Sequence, residues 1–196
     1  MPEAWREPAA VLALAAVFVL LGALAADVNP WLQYDRSALA SGQAWRLATA
    51  HLAHLGLAHG VLNAAAWVLV WRIGRGIPSG GQWTWLLAGS AAAVNAGLYL
   101  FSPGVEWYVG ASGMLHGAFA GMAWLASRGA APQFGRILLG LLAAKLVWEL
   151  VSGSTAGTVL LGDAPVITIA HFYGAAGGWM TALALPAHSR RRGRAP

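Results

Sequence analysis

Ser112 stands in Gly110-Ala111-Ser112-Gly113 and opens directly into the apolar run Met114 to Ala126. A serine hydroxyl is a weak nucleophile at its free pKa, so this motif does chemistry only if a base and an oxyanion site come from elsewhere in the chain. The sequence holds candidates for both. His171, in Ala170-His171-Phe172-Tyr173-Gly174, is the candidate base. His59 and Asn63 are one helical turn apart, so they share a face, and both carry the hydrogen-bond donors an oxyanion site requires. His116 follows Ser112 by one turn and lies beneath it, where it can serve as an independent base or, as its place beneath the serine favours, stack on the His171 ring and fix its orientation. No Asp or Glu is positioned to orient His171, so the reading is a Ser-His dyad and not a triad.

Lys145, Trp148 and Glu149 interrupt another apolar run. The two charges form either a mutual ion pair or, with Glu149 about 6 Å nearer the outer surface by helical rise, a contact for a substrate or lipid headgroup at the active site. A metal site could draw on His51, His54 and His59, and two histidines on neighbouring helices could ligate haem. No His-Glu-x-x-His motif and no nearby carboxylate accompany them, so no metal and no cofactor is expected. Cysteine is absent, which removes disulfide frameworks, thiolate metal sites and cysteine nucleophiles.

These residues are embedded in a chain of 196 residues with 58% hydrophobic and 10% charged side chains. An average soluble domain is about 25% charged, so the composition is that of a membrane protein. Apolar stretches long enough to cross a ~30 Å hydrocarbon core fall at about Pro8 to Ala26, His54 to Trp71, Trp83 to Phe101, Ser112 to Ser127, Phe134 to Val151 and Ile167 to Leu185. The first exceeds the ~7–15 residues of a signal-peptide core and is followed by Asp27-Val28-Asn29-Pro30 instead of a small-residue cleavage site, so it is read as a retained span. The expected fold is an all-α membrane protein, a bundle of six transmembrane helices forming one domain over residues 1–186, with a basic tail at 187–196. Between the first two spans, Asp27 to Arg46 is a polar and aromatic interfacial loop holding Trp31, Tyr34 and Trp45.

Charge sets the orientation. Arg72 and Arg75 follow the second span, Arg128 and Arg136 flank the turn between the fourth and fifth, and Arg190, Arg191, Arg192 and Arg194 follow the sixth. The loops after the third and fifth spans carry only Glu106 and Asp163. This alternation predicts both termini in the cytoplasm, with Ser112 and His171 level with each other near the outer surface. The net charge of +5 belongs largely to the tail, a juxtamembrane anchor and not a nucleic-acid site. Glycines recurring every four residues, at 113, 117 and 121 and at 174 and 178, give two small-residue faces on which the fourth and sixth spans can approach closely.

Trp45-Arg46, His54-x4-His59-x3-Asn63, Gly110-Ala111-Ser112-Gly113 and Ala170-His171-x2-Gly174-x3-Gly178, in this order over six spans, resemble the rhomboid intramembrane serine proteases. The resemblance implies Ser112 as nucleophile and His171 as base. It implies an oxyanion hole from His59, Asn63 and the Ser112 amide with Gly110 in support, the fifth span as a lateral gate, and the Trp45-Arg46 loop lying partly in the outer leaflet. Rhomboids usually carry a tyrosine four residues after the nucleophile, where this chain has His116. With Lys145 and Glu149 in the fifth span, this is more similar to the rhombosortase subgroup of bacterial inner-membrane enzymes. That implies cleavage of the Gly-Gly-type C-terminal anchor of exported proteins on the periplasmic side and transfer of the new C-terminus to a lipid-linked amine. The rival readings are a catalytically inactive rhomboid-like chaperone of transmembrane segments and a haem- or metal-binding membrane protein.

Overall fold

The computed structural model describes residues 8–129, 131–152 and 166–186; Asp163 and the basic tail lie outside them. The helices in chain order are α1 (Pro8–Ala23), α2 (Ala25–Leu32), α3 (Arg36–Ala40), α4 (Arg46–Thr49), α5 (Leu57–Ile73), α6 (Gly80–Phe101), α7 (Ser112–Arg128), α8 (Pro132–Ser152) and α9 (Ile169–Leu183). Two short strands, β1 (Tyr34–Asp35) and β2 (Trp107–Tyr108), pair antiparallel with Tyr34 opposite Tyr108.

α7 is the centre of the assembly. Its buried residues run from Gly113 to Ala126 and are Gly, Ala, Met and Leu around most of the circumference, the pattern of a helix enclosed on all sides. α9 packs against it backbone to backbone: a side chain at Gly174 would overlap the Gly113 carbonyl oxygen, and one at Gly178 would overlap that of Gly117. α6 closes on the same pair, with Gly97 against the Tyr173 ring and Ser90 against Gly117. α1 is tied to α5 by the Trp67 indole N–H, which donates to the Val11 carbonyl at 3.1 Å. α8 leans on α7, and its buried residues are Gly135 and Leu138, both towards its start.

The structure differs from the sequence reading at several boundaries. The chain turns through 105° after α1, and the expected interfacial loop is a folded cap of α2, α3 and α4. Arg46 organises this cap: its nearly buried guanidinium donates to Gln43 Oε1 and to the Gln33 and Pro30 carbonyls at 2.8–2.9 Å. Asp35 caps α3 by accepting from the Ala38 N–H at 2.8 Å. α5 begins only at Leu57, so His54 precedes the helix and does not share its periodicity. α6 begins at Gly80 because Ser79 and Gln82 form a capping box, each side chain bonding the other's backbone N–H. Of the described helices, Gly80–Phe101 alone is long and apolar enough to cross a membrane by itself, and Pro8–Ala23 with Ala25–Leu32 qualifies only as a bent pair. α5 has 17 residues and α9 has 15, each shorter than its expected span, whereas α7 has 17 and runs one residue past the expected Ser112 to Ser127.

Candidate active site

Ser112 is the first residue of α7, and the chain that delivers it is pinned on three sides. Gly110 has φ +126°, a conformation that glycine alone adopts freely. Its N–H donates to the Ala50 carbonyl at 2.9 Å, and its carbonyl accepts from the Tyr108 hydroxyl at 2.7 Å. A side chain at 110 would also stand 2.8 Å from His59 Cε1. The sequence reading assigns Gly110 a supporting part in the oxyanion hole; its N–H is committed to Ala50 and offers no donor there, and the residue shapes the turn that delivers Ser112. The Ser112 N–H, in the first turn of α7, has no intrahelical acceptor and sits at the positive end of the helix dipole.

Ser112 Oγ lies 2.9 Å from His171 Nε2, although the two residues are on different helices. On the other side of the ring, His171 Nδ1 is 2.9 Å from Glu149 Oε2 and 3.0 Å from Oε1. The Ser-His dyad is thus corrected to a line of three groups, with Glu149 as the carboxylate that the sequence did not place. Glu149 also accepts from Lys145 Nζ at 2.6 Å. Lys145 donates in turn to His116 Nε2, and His116 Nδ1 lies 2.7 Å from the Ser112 carbonyl oxygen. The His116 and His171 rings are stacked, 4.1 Å apart and 13° from parallel.

One set of proton positions satisfies this whole circuit. An ammonium only donates, so His116 Nε2 accepts and His116 Nδ1–H donates to Ser112 O. A carboxylate only accepts, so His171 carries its hydrogen on Nδ1 and leaves Nε2 free to accept from the Ser112 hydroxyl. That is the tautomer a general base requires.

His59 and Asn63 are both buried on the inner face of α5. The Leu55 N–H donates to His59 Nδ1 at 3.2 Å, which fixes the hydrogen on Nε2, the side of the ring towards Gly110. Asn63 Nδ2 donates one hydrogen to the His59 carbonyl at 3.0 Å and retains a second. Asn63, Ser112, His116 and Lys145 line one cavity of about 300 Å³, whose remaining walls are apolar side chains of α5, α7 and α8. Trp148 is exposed and takes no part in the circuit, so of the three α8 residues expected to contact substrate or headgroup, two are bonded to the site itself and Lys145 alone also lines the cavity.

The histidines weighed for a metal are placed otherwise. His51 lies edge-on to Tyr108, and His54 packs between Phe18 and His59. Among the described residues, the group with metal-ligand spacing is instead His116, Glu149 and His171, whose ligand atoms lie within 4.8 Å of one another. The Lys145 ammonium stands among them, bonded to His116 and Glu149 and 3.4 Å from His171 Nδ1, where a metal cation would have to sit. This donor set does not fit a resident metal.

With this geometry in place, residues 41–188 match the family model for the Rhomboid domain. The chain belongs to the rhomboid family. Among curated proteins, no relative matches it. Membership in the rhomboid family places the chain in the membrane and supports intramembrane serine proteolysis. The matched rhomboid segment contains Ser112, His171, Glu149, His59 and Asn63, and so the whole circuit. Sequence reasoning missed the pairing of Glu149 with His171 because its nearest charge, Lys145, lies one turn away on the same helix. A usable signal existed: Glu149 is three residues before the end of α8 and His171 two after the start of α9, which sets them at matching depth.

Proposed function

We propose that this rhomboid-family chain is an endopeptidase of the rhombosortase kind, cutting the glycine-rich C-terminal anchor of exported membrane proteins. The observation that carries the endopeptidase reading is the unbroken line Ser112 Oγ, His171 Nε2, His171 Nδ1 and Glu149 carboxylate, whose two hydrogen bonds are each 2.9 Å long. In this mechanism Ser112 Oγ attacks the scissile carbonyl carbon and its proton passes to His171 Nε2. Glu149, accepting from Nδ1–H, stabilises the imidazolium that forms. The oxyanion is held by the Ser112 N–H, His59 Nε2–H and the free Asn63 amide hydrogen. Collapse expels the amine of the departing segment, which takes the proton from His171 and leaves an acyl-enzyme on Ser112.

The acyl-enzyme is resolved by attack of water or of an amine on a membrane lipid, His171 accepting the attacking group's proton and returning it to Ser112 Oγ as the Oγ–acyl bond breaks. Transfer to a lipid amine is the reading favoured by His116, Lys145 and Glu149 in place of the usual rhomboid pattern. The cavity walled by α5, α7 and α8 is where the substrate segment enters, since it is apolar and open beside Ser112. The membrane topology that fits is six spans with both termini cytoplasmic and Ser112 towards the periplasm of a bacterial inner membrane, by the distribution of arginines.

The test is mass spectrometry of a Gly-Gly-anchored substrate processed in native membranes. The reading expects a shortened C-terminus bearing a lipid-derived amine, and no processing by Ser112→Ala. A bare carboxylate would remove transfer and leave cleavage; normal processing by Ser112→Ala would remove both.

A further inference from the structure

We infer that Lys145 is a positioning residue for the reaction at Ser112: its ammonium, donating at once to Glu149 and His116, holds the carboxylate and the stacked ring in the arrangement that lets His171 accept the serine proton. The inference rests on the reading of Ser112 and His171 as nucleophile and base. Lys145 touches neither hydroxyl nor substrate carbonyl in this scheme; its ammonium also stands 3.4 Å from His171 Nδ1, which carries a hydrogen and accepts nothing from it, so the hydrogen bonds through which Lys145 positions the base are those to Glu149 and His116.

Three observations support it. The first is the direction of the hydrogen bonds. Lys145 supplies the donor to His116 Nε2, and this fixes the His116 hydrogen on Nδ1, facing Ser112 O at 2.7 Å. Without the ammonium the His116 hydrogen is free to move to Nε2. Nδ1 and the carbonyl oxygen would then face each other as two acceptors, and the ring that supports His171 at 4.1 Å would be driven off. The second is charge. Glu149 is bonded to Lys145 at 2.6 Å, and a carboxylate deprived of its cation in a membrane-embedded site is costly to keep ionised. The third is packing. α8 is seated by Gly135 and Leu138 near its start, whereas Lys145 and Glu149, farther along, reach α7 and α9 by polar contacts. Lys145 therefore also holds the Glu149-bearing part of α8 against the site, beside the cavity through which substrate enters.

The chain contains no cysteine, so Lys145→Cys creates a single thiol. The Lys145 side chain is 42% exposed and lines the cavity, which makes that thiol reachable. The experiment measures the rate at which a small fluorophosphonate labels Ser112 in detergent-purified protein, a reading that needs no peptide substrate. Loss of a charge-assisted hydrogen bond corresponds to about 10- to 100-fold, so Lys145→Cys is expected to label that much more slowly. Alkylation with 2-bromoethylamine restores an ammonium at nearly lysine length and is expected to recover most of the rate; iodoacetamide, which adds similar bulk without charge, is expected to recover none. A wild-type rate for Lys145→Cys, or equal recovery by the two reagents, would overturn the inference. Continued labelling of Ser112→Ala would instead show that the underlying reading has failed.

Discussion

Glu149→Gln tests the part of the site that the sequence did not place. The substitution keeps the shape and leaves a carbonyl oxygen to accept from His171 Nδ1–H, so what it removes is charge. In the wild type the nearest carboxylate oxygen is 2.9 Å from Nδ1, which puts the charge centres of Glu149 and a protonated His171 about 4 Å apart. At an effective dielectric of about 20, that attraction is worth roughly 4 kcal/mol in any state that carries the imidazolium. The glutamine retains a neutral hydrogen bond of about 1 kcal/mol, leaving a loss of about 3 kcal/mol. Lys145 Nζ, 3.4 Å from Nδ1, would also lose its counter-ion and repel the imidazolium, which acts in the same direction. The expected result is a fall in kcat of about 100-fold, since each 1.36 kcal/mol is tenfold, with KM little changed because Glu149 does not bind substrate. Single-turnover cleavage of an anchored substrate in reconstituted vesicles measures it. A Glu149→Gln rate within about threefold of wild type would refute the role given to this carboxylate.

Other perturbations separate the remaining parts. Asn63→Ala removes one of the three proposed oxyanion donors and is expected to lower kcat by roughly 10²- to 10³-fold without changing melting temperature by more than a few degrees; unchanged single-turnover kinetics would count against that role. Gly174→Ala places a methyl group against the Gly113 carbonyl one turn below His171. It should cost about 1–3 kcal/mol of stability in a thermal melt and, by moving His171 about 1 Å from Ser112, slow acylation on the order of 100-fold. The Asp35 carboxyl is held below its ordinary value of 3.8, first by the Ala38 N–H and then by the Ser37 hydroxyl. Because its folded pKa is depressed, its contribution to stability is present above that ordinary value and is lost as pH falls through the folded one. The difference in melting temperature between wild type and Asp35→Ala should accordingly be level near neutrality and shrink as pH falls below 3.8; a difference that grew on acidification would contradict the assignment.

What the sequence disclosed follows the range of each physical signal. Hydrophobic run length placed the central helices to within a few residues, and four-residue glycine spacing marked the faces on which α7 and α9 meet. Helical period also put His59 beside Asn63 and His116 beneath Ser112, because both pairs sit within one helix. Contacts between helices were less accessible. The Glu149–His171 bond joins α8 to α9, and no periodicity reports which way one helix faces another. The cap after α1 escaped for a different reason. Its helices are short, and its order comes from Arg46 reaching backbone carbonyls up to 16 residues away, a bond that composition reads only as interfacial polarity. The Ser79–Gln82 capping box was visible in the sequence and would have set the start of α6 correctly.

The central claim is that Ser112 is a nucleophile made reactive by His171 across the 2.9 Å contact between α7 and α9. The most direct measurement is peptide mapping by mass spectrometry after exposure of the intact protein to a fluorophosphonate. The account predicts a single adduct on Ser112 that is absent in His171→Ala. An adduct on another residue, or undiminished labelling of Ser112 in His171→Ala, would contradict it.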